Sequence, residues 1–267
     1  MPISPLNTSP RTCVLIPTYN HAPTLRAVVE DALRVCPHVI VVDDGSTDST
    51  AQVLQQLVGN HRVEVVAHQP NRGKGYALRA GLNRAWTLGF EHVVTMDSDG
   101  QHLAADIGKL LAASQQHPHA LIVGSRSLSH KHMPQGNRIA NRLSNFWFAV
   151  QTGHRLPDTQ TGFRLYPLER MRRLRPLFNR YEAELELLVR AAWRGVELVP
   201  VGINVVYPPK GERVSHFKPT IDFVRISLLN TALCVLAVLY GYPRMGIQHL
   251  VSRWHHKTEG GITAPPC

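Results

Sequence analysis

Two hydrophobic patterns alternate along this chain. Continuous apolar runs at "TCVLIPT" (12–18), "HVIVVDD" (38–44), "RVEVVAH" (62–68), "HVVTM" (92–96) and "ALIVGS" (120–125) predict buried strands. Between them, apolar side chains return every three or four positions over 22–35, 49–58, 76–89 and 103–116, which predicts helices. Continuous apolar strands joined by helices form a mostly parallel sheet covered on both faces, an α/β fold. Such sheets bind ligands at the carboxyl ends of their strands.

The second half is less regular. A basic loop, "RSLSHKHMPQGNR", leads into a helix near 139–151, followed by the polar turn "PDTQTGFR", a Glu-rich helix near 181–194 and a strand at 196–206. Beyond "PPKGERVSHFKP" the segment "ISLLNTALCVLAVLYGY" (226–242) carries no formal charge. It is slightly short of the ~20 residues that span a bilayer, so a core helix and a helix lying in the membrane interface are both open. Lys218, Arg225, Arg244 and Arg253 flank it and could reach anionic head groups. The expected organisation is a flexible 1–11, one α/β domain over 12–218, a C-terminal helical and membrane-associated segment over 219–257, and a disordered tail over 258–267.

Charge narrows the partners. The net charge is +10, with 15 His besides, which favours an acidic partner such as an anionic membrane or a phosphorylated substrate. Without RNP, zinc-finger or helix-turn-helix patterns, nucleic acid is not expected. Cys13, Cys36, Cys234 and Cys267 have no metal-ligand spacing. "MPISPLNTSPR" lacks the charged and apolar regions of a secretory signal, so the expected location is cytoplasmic, at the inner face of the membrane.

Three motifs fall where strands end: "PTYN" (17–20), "VVDDGSTD" (41–48) and "TMDSDGQH" (95–102). Asp97 and Asp99, spaced i, i+2 on extended chain, point to one side and can share a cation. A calcium EF-hand would need Gly at the sixth position and Glu at the twelfth, where His102 and Gly108 stand. Mg²⁺ or Mn²⁺ on a diphosphate needs only one or two carboxylates, with Gln101 able to add an oxygen. "NRGKGYALRAG" (71–81) is neither a P-loop nor a dinucleotide fingerprint, and the missing fingerprint argues against a Rossmann dehydrogenase. Lys74 beside two glycines suits close approach to an anion.

The ordered series "VLIPTYN", "VVDDGSTDST", "NRGKGYAL", "MDSDGQH", "VGSR" and "DTQTGFRLY" resembles the inverting family 2 glycosyltransferases of the GT-A fold, above all the dolichol-phosphate and polyprenol-phosphate mannose synthases. "SNFWF", "QTGFRLYP" and "RVSHFKP" are similar also to family 2 enzymes associated with aryl-polyene pigments. The resemblance implies a nucleotide-diphosphate sugar donor, a lipid-linked acceptor and Mg²⁺ or Mn²⁺. Pro17 and Tyr19 would wall the nucleoside, Asp44 with its neighbour Asp43 would face the base, and Asp97 the sugar and phosphates. Asp99 and Gln101 would hold the metal. Arg126 and Arg138 would bind phosphate, and Arg213 and Ser215 would belong to a late acceptor loop. The chain departs from the mannose synthases at His21, His216 and Glu182, which cluster around sugar and acceptor.

Two enzymatic readings follow. A phosphate acceptor is already anionic and needs arginines rather than a base. A hydroxyl acceptor on a pigment or polyene lipid needs a base, for which Asp158 is the candidate, with Glu182 and Glu184 next. A non-catalytic membrane-associated nucleotide-sugar-binding protein is the rival class, and the intact Asp97, Asp99 and Gln101 set argues against it.

Overall fold

The computed structural model describes residues 11–126, 135–172, 174, 178–206 and 219–249. The predicted strands form β1 (Thr12–Thr18), β2 (Val39–Asp43), β3 (Val63–Ala67), β4 (His92–Thr95) and β5 (Leu121–Arg126). They alternate with α1 (Ala22–Val35), α2 (Thr50–Val58), α3 (Lys74–Thr87) and α4 (Ile107–Gln116), the last entered through a 3-10 turn at Ala104–Asp106. Then come α5 (Gln135–Thr152), β6 (Arg164–Pro167), α6 (Leu168–Met171), α7 (Glu182–Trp193), β7 (Leu198–Ile203) and α8 (Pro219–Leu236). The C-terminal helix runs on through a π-helical turn, Ala237–Gly241, to residue 249.

The seven strands form one sheet in the order β3-β2-β1-β4-β6-β5-β7. All neighbours pair in parallel except β6, which runs antiparallel to both β4 and β5. "PDTQTGFR" reads as a turn but ends in this strand. Four residues are too few to display a period, and Arg164 interrupts the apolar signal while being fully buried.

Side chains alternate across each strand, so the sheet carries a core on each face. Cys13 and Leu15 of β1 join Ile40 and Val42 of β2 beneath α3 and α7, while Val14 and Ile16 join Val39 and Val41 beneath α1 and α4. The C-terminal helix contributes Leu229, Leu233 and Ala237 to the first core. Its most apolar stretch, within Arg225–His249, is nevertheless only 28% buried. That is too little for the buried core helix the sequence leaves open.

Candidate active site

The parallel strands β1, β2, β4, β5 and β7 all end at one edge of the sheet. An antiparallel strand begins where its neighbours end, so β6 brings residues 157–163 to the same edge. Topology therefore gathers "PTYN", "DDGSTD", "DSDGQH", Arg126 and "PDTQTGF" around one crevice, the place where such sheets take ligands.

At the β1–β2 side Asn20, in the left-handed region at φ 55, locks two loops together. Its carboxamide oxygen accepts the Thr47 N–H at 2.7 Å, and its own N–H donates to Ser46 Oγ at 2.9 Å. Asp43 accepts from the N–H and hydroxyl of Ser46 at 3.0 and 2.6 Å. Asp44 is a buried hub: it accepts from the N–H groups of Arg72 (2.9 Å) and Gly73 (2.7 Å) and from Asn71 Nδ2 (3.0 Å), with His68 Nε2 at 2.6 Å. The base-facing carboxylate of the sequence reading thus also ties β2 to the loop that opens α3. Pro17 and Tyr19 lie half-buried at the end of β1.

In the middle of the crevice stands an ion cluster. Lys74 Nζ, in the first turn of α3, lies 2.6 Å from Asp97 Oδ1 and 3.2 Å from Glu184 Oε1 of α7. Gly162 backs it, because a Cβ there would stand 2.9 Å from Lys74 Nζ, 3.0 Å from Glu184 Oε1 and 3.1 Å from Asp97 Oδ1. Burial alone would raise the Asp97 carboxyl, but Lys74 first, then His102 and Arg126, outweigh it and hold its pKa at about 2. Burial likewise opposes the Lys74 charge, and Asp97 and Glu184 together keep that ammonium protonated well above the ordinary lysine range. The Asp97 N–H donates to His102 Nδ1 at 3.2 Å, which fixes the ring against the loop after β4.

Asp99 behaves oppositely. Burial, then the charge of Asp97, pushes its carboxyl up, and the Gln101 N–H on Oδ1 at 3.0 Å offsets only part of this. Lys74 compensates one of the two carboxylates, and their remaining repulsion is what a divalent cation relieves. Among the described residues no three His, Cys, Asp or Glu side chains converge as a closed metal cage. An open site of Asp97, Asp99 and Gln101 fits a Mg²⁺ or Mn²⁺ ion that takes its remaining ligands from a diphosphate.

The β5–β6 side is built on Asp158, which is fully buried. Its Oδ2 accepts from Arg126 Nε at 2.6 Å and from the Arg126 N–H at 3.2 Å. Its Oδ1 accepts from Arg126 Nη2 (3.0 Å), Asn141 Nδ2 (2.8 Å) and the Gln160 N–H (3.0 Å). Arg164 fixes the same loop from below, donating to the carbonyls of Thr161, Glu184 and Thr159 at 2.9, 2.7 and 3.0 Å. Arg138 stands on α5 one turn before Asn141, its Nε buried and unpartnered among the described residues. Arg213 and Ser215 lie outside the described residues.

The sequence reading missed Asn20, Asn141 and Arg164. Asn141, Ser144 and Asn145 do recur on one side of a helix, but polar residues there read as a solvated face until the 157–161 loop is seen against them. Glu184, read as a base, is found paired with Lys74.

Residues 13–173, more than half of the chain, match the sequence model described as glycosyl transferase family 2. The UDP-N-acetylglucosamine–dolichyl-phosphate N-acetylglucosaminyltransferase of Methanococcus voltae is 29% identical, over 73% of this chain and 85% of its own length. The polyprenol monophosphomannose synthase of Mycolicibacterium smegmatis is 30% identical, over 73% of this chain and 77% of its own. The dolichyl-phosphate β-glucosyltransferase of Dictyostelium discoideum is 26% identical, over 80% of this chain and 72% of its own. Among solved structures, glucosyl-3-phosphoglycerate synthase of Mycobacterium tuberculosis, in complex with Mn²⁺, UDP and phosphoglyceric acid, superposes with a TM-score of 0.62 at 19% identity. That likeness covers 85% of this chain and 78% of the other, and it bears out the GT-A fold. The chain belongs to glycosyl transferase family 2, and it is a glycosyltransferase related to the enzymes that load sugars onto dolichyl and polyprenyl phosphates.

Proposed function

We propose that this enzyme transfers a sugar, with inversion, from a nucleoside-diphosphate sugar to a polyprenyl- or dolichyl-type lipid phosphate at the cytoplasmic surface of a membrane. One observation carries the choice of a phosphate over a hydroxyl acceptor. Both oxygens of Asp158 are taken up by Arg126, Asn141 and backbone N–H groups, so the carboxylate has no lone pair directed at an incoming hydroxyl. An acceptor that arrives as an anion requires no base. Asp158 then serves to hold the Arg126 guanidinium in one orientation through a bidentate pair with its Nε and Nη2, and a cation fixed in this way can guide a phosphate.

Inversion is an in-line displacement in which an acceptor oxygen attacks the anomeric carbon while the nucleoside diphosphate leaves from the opposite side. Asp97, Asp99 and Gln101 would hold Mg²⁺ or Mn²⁺, which when bound neutralises charge growing on the departing diphosphate. Lys74 is a second cation on the same side. Leaving Asp97 for the diphosphate would keep it charged and still paired with Glu184. Pro17, Tyr19 and Asp43 form the nucleoside end, with Asp44 fixing the loop behind it, and Arg138 belongs with Arg126 to the acceptor end.

Membrane attachment is assigned to the C-terminal helix. Contacts from Leu229 to Met245 lie along the domain, about 24 Å of helix at 1.5 Å per residue. A helix held sideways over that length lies in the interface rather than crossing the bilayer. The test is transfer from nucleotide sugars, with Mn²⁺, to geranyl phosphate and to geraniol. Product from the phosphate alone is expected; equal turnover of the alcohol would return Asp158 to the role of base.

A further inference from the structure

Asp106 is a buried carboxylate that the crevice does not use. It ends the 3-10 turn Ala104–Asp106 and stands at the N-cap of α4, where an aspartate ordinarily bonds the free N–H groups of its own helix. Here its side chain makes no such cap. Its Oδ2 accepts the backbone N–H of Asn204 at 2.6 Å, and its Oδ1 lies 3.4 Å from Asn204 Nδ2. Lys109 Nζ, 2.6 Å from Oδ1, compensates the charge. Asn204 is 98 residues away in the chain and stands directly after β7. A capping residue that reaches instead to another element is holding that element in place.

What it holds is the backing of the loop that carries Asp97, Asp99 and Gln101. The chain leaving β7 runs antiparallel to the end of that loop. His102 and Val205 pair as an isolated bridge, and the Val206 N–H donates to the Gln101 carbonyl at 2.9 Å. Two hydrogen bonds, from Asn204 to Asp106 and from Val206 to Gln101, therefore close one ring through residues 101–106 and 204–206. The start of the loop is fixed separately. The Met96 N–H donates to the Leu15 carbonyl at 3.0 Å, and the Thr24 hydroxyl to the Ser98 carbonyl at 2.6 Å. Between the two anchors the chain turns at Gly100, with φ 75. Where Gln101 stands relative to the two aspartates thus depends on where residues 204–206 lie.

We infer that Asp106 is a positioning residue for the metal: its clasp on Asn204 sets residues 204–206 against the loop and so keeps Gln101 in register with Asp97 and Asp99. This rests on the reading of those three residues as metal ligands, and it adds a residue that touches neither metal nor substrate. Groups that orient a metal's ligands in this way commonly contribute roughly 10- to 100-fold to metal affinity.

The test compares the full-length chain with Asp106→Ala, Asp106→Ser, Asp106→Asn and Asp99→Ala. Mn²⁺ is titrated into each with UDP or GDP present, against nucleotide alone. Free Mn²⁺ is read by electron paramagnetic resonance, and melting temperature is taken alongside. Serine can cap α4 but ends a full bond short of Asn204, whereas asparagine keeps an oxygen for the Asn204 N–H. Mn²⁺ affinity is expected to fall roughly 10- to 100-fold in the alanine and serine variants and to recover largely in the asparagine one. Native affinity in the serine variant would overturn the inference. So would an asparagine variant as weak as the serine one, since the charge of Asp106 and not its clasp would then matter. Should the alanine variant fail to fold, the serine and asparagine pair decides. If Asp99→Ala binds Mn²⁺ as the native chain does, the metal reading fails and the inference falls with it. If Asp99→Ala loses Mn²⁺ while Asp106→Ser keeps it, the metal reading stands and the clasp alone is refuted.

Discussion

Asp158 and Asp99 illustrate two ways a carboxylate can be placed in a crevice, and each gives a different mutant. Asp158 is buried and bonded to Arg126, so Asp158→Asn sets an amide nitrogen against a guanidinium and leaves a half-buried cation poorly compensated. Breaking a fully buried pair costs about 3–5 kcal/mol in stability, and this partly exposed one costs less. The expected kinetic signature is a raised KM for the acceptor with the pH profile of kcat unchanged. Loss of a general base would instead remove roughly 10²–10⁴ from kcat and its acid limb. Steady-state kinetics at several pH values, beside a denaturant melt, separate the two. Asp99 works the other way. Its folded-state pKa is raised, so the folded protein binds that proton more readily than the unfolded chain. Ionised Asp99 therefore opposes folding above the ordinary carboxyl range, and the penalty disappears as pH falls. Asp99→Ala is expected to leave the metal-free protein as stable as the native chain or more so, while abolishing stabilisation by Mn²⁺ and metal-dependent turnover. A destabilised variant that still responds to Mn²⁺ would move the metal elsewhere.

At the scale of elements, what the sequence reveals depends on how local the cause is. β1 to β5 and α1 to α4 were legible because continuous apolar runs or a helical period mark each of them, and their ends fall within two residues of those predicted, except that α4 begins at Ile107 rather than 103. The strand-end motifs were legible because parallel topology makes strand ends a site. β6 was not legible: its direction is set by its neighbours, and its first residue, Arg164, is satisfied by three carbonyls distant in sequence or in loops. The saturation of Asp44 and Asp158 was hidden for the same reason, since donors such as Asn141 lie on other elements. Close helix packing is another long-range effect. Gly75 lets α3 meet α7, for a Cβ there would stand 2.4 Å from Ala183 Cβ and 2.9 Å from the Arg180 carbonyl oxygen. Gly75→Ala must push the helices apart, and such overpacking typically costs about 1–3 kcal/mol. Because Lys74 and Glu184 sit on those two helices, the same change should lengthen their ion pair and weaken donor binding. A denaturant midpoint lowered without a rise in donor KM would show that the pair tolerates the shift.

For the whole molecule, the edge proposed to bind the donor is assembled from several elements rather than one. The loops after β1 and β2, the first turn of α3, the loop after β4 and the start of α7 all contribute. A ligand that engages these together binds only the folded chain and stabilises it by mass action, by about 2.7 kcal/mol at one hundred times its Kd. For a domain of this size each kcal/mol moves the melting temperature by roughly 2–4 °C, so saturating nucleoside diphosphate with Mn²⁺ should raise it by about 5–10 °C. Nucleotide without metal should do much less, since Asp97 and Asp99 would then face diphosphate charge with only Lys74 between them. Metal without nucleotide should also do less, for it lacks the phosphate oxygens that complete its shell. Supra-additivity is thus the signature of the open metal site, and it should vanish in Asp99→Ala while the small metal-free shift survives. Running UDP, GDP and their sugars through the same melt identifies the donor as the nucleotide with the greatest Mn²⁺-dependent shift. Equal shifts with and without Mn²⁺ for every nucleotide would remove the metal from the mechanism and leave Lys74 as the cation that meets the leaving diphosphate.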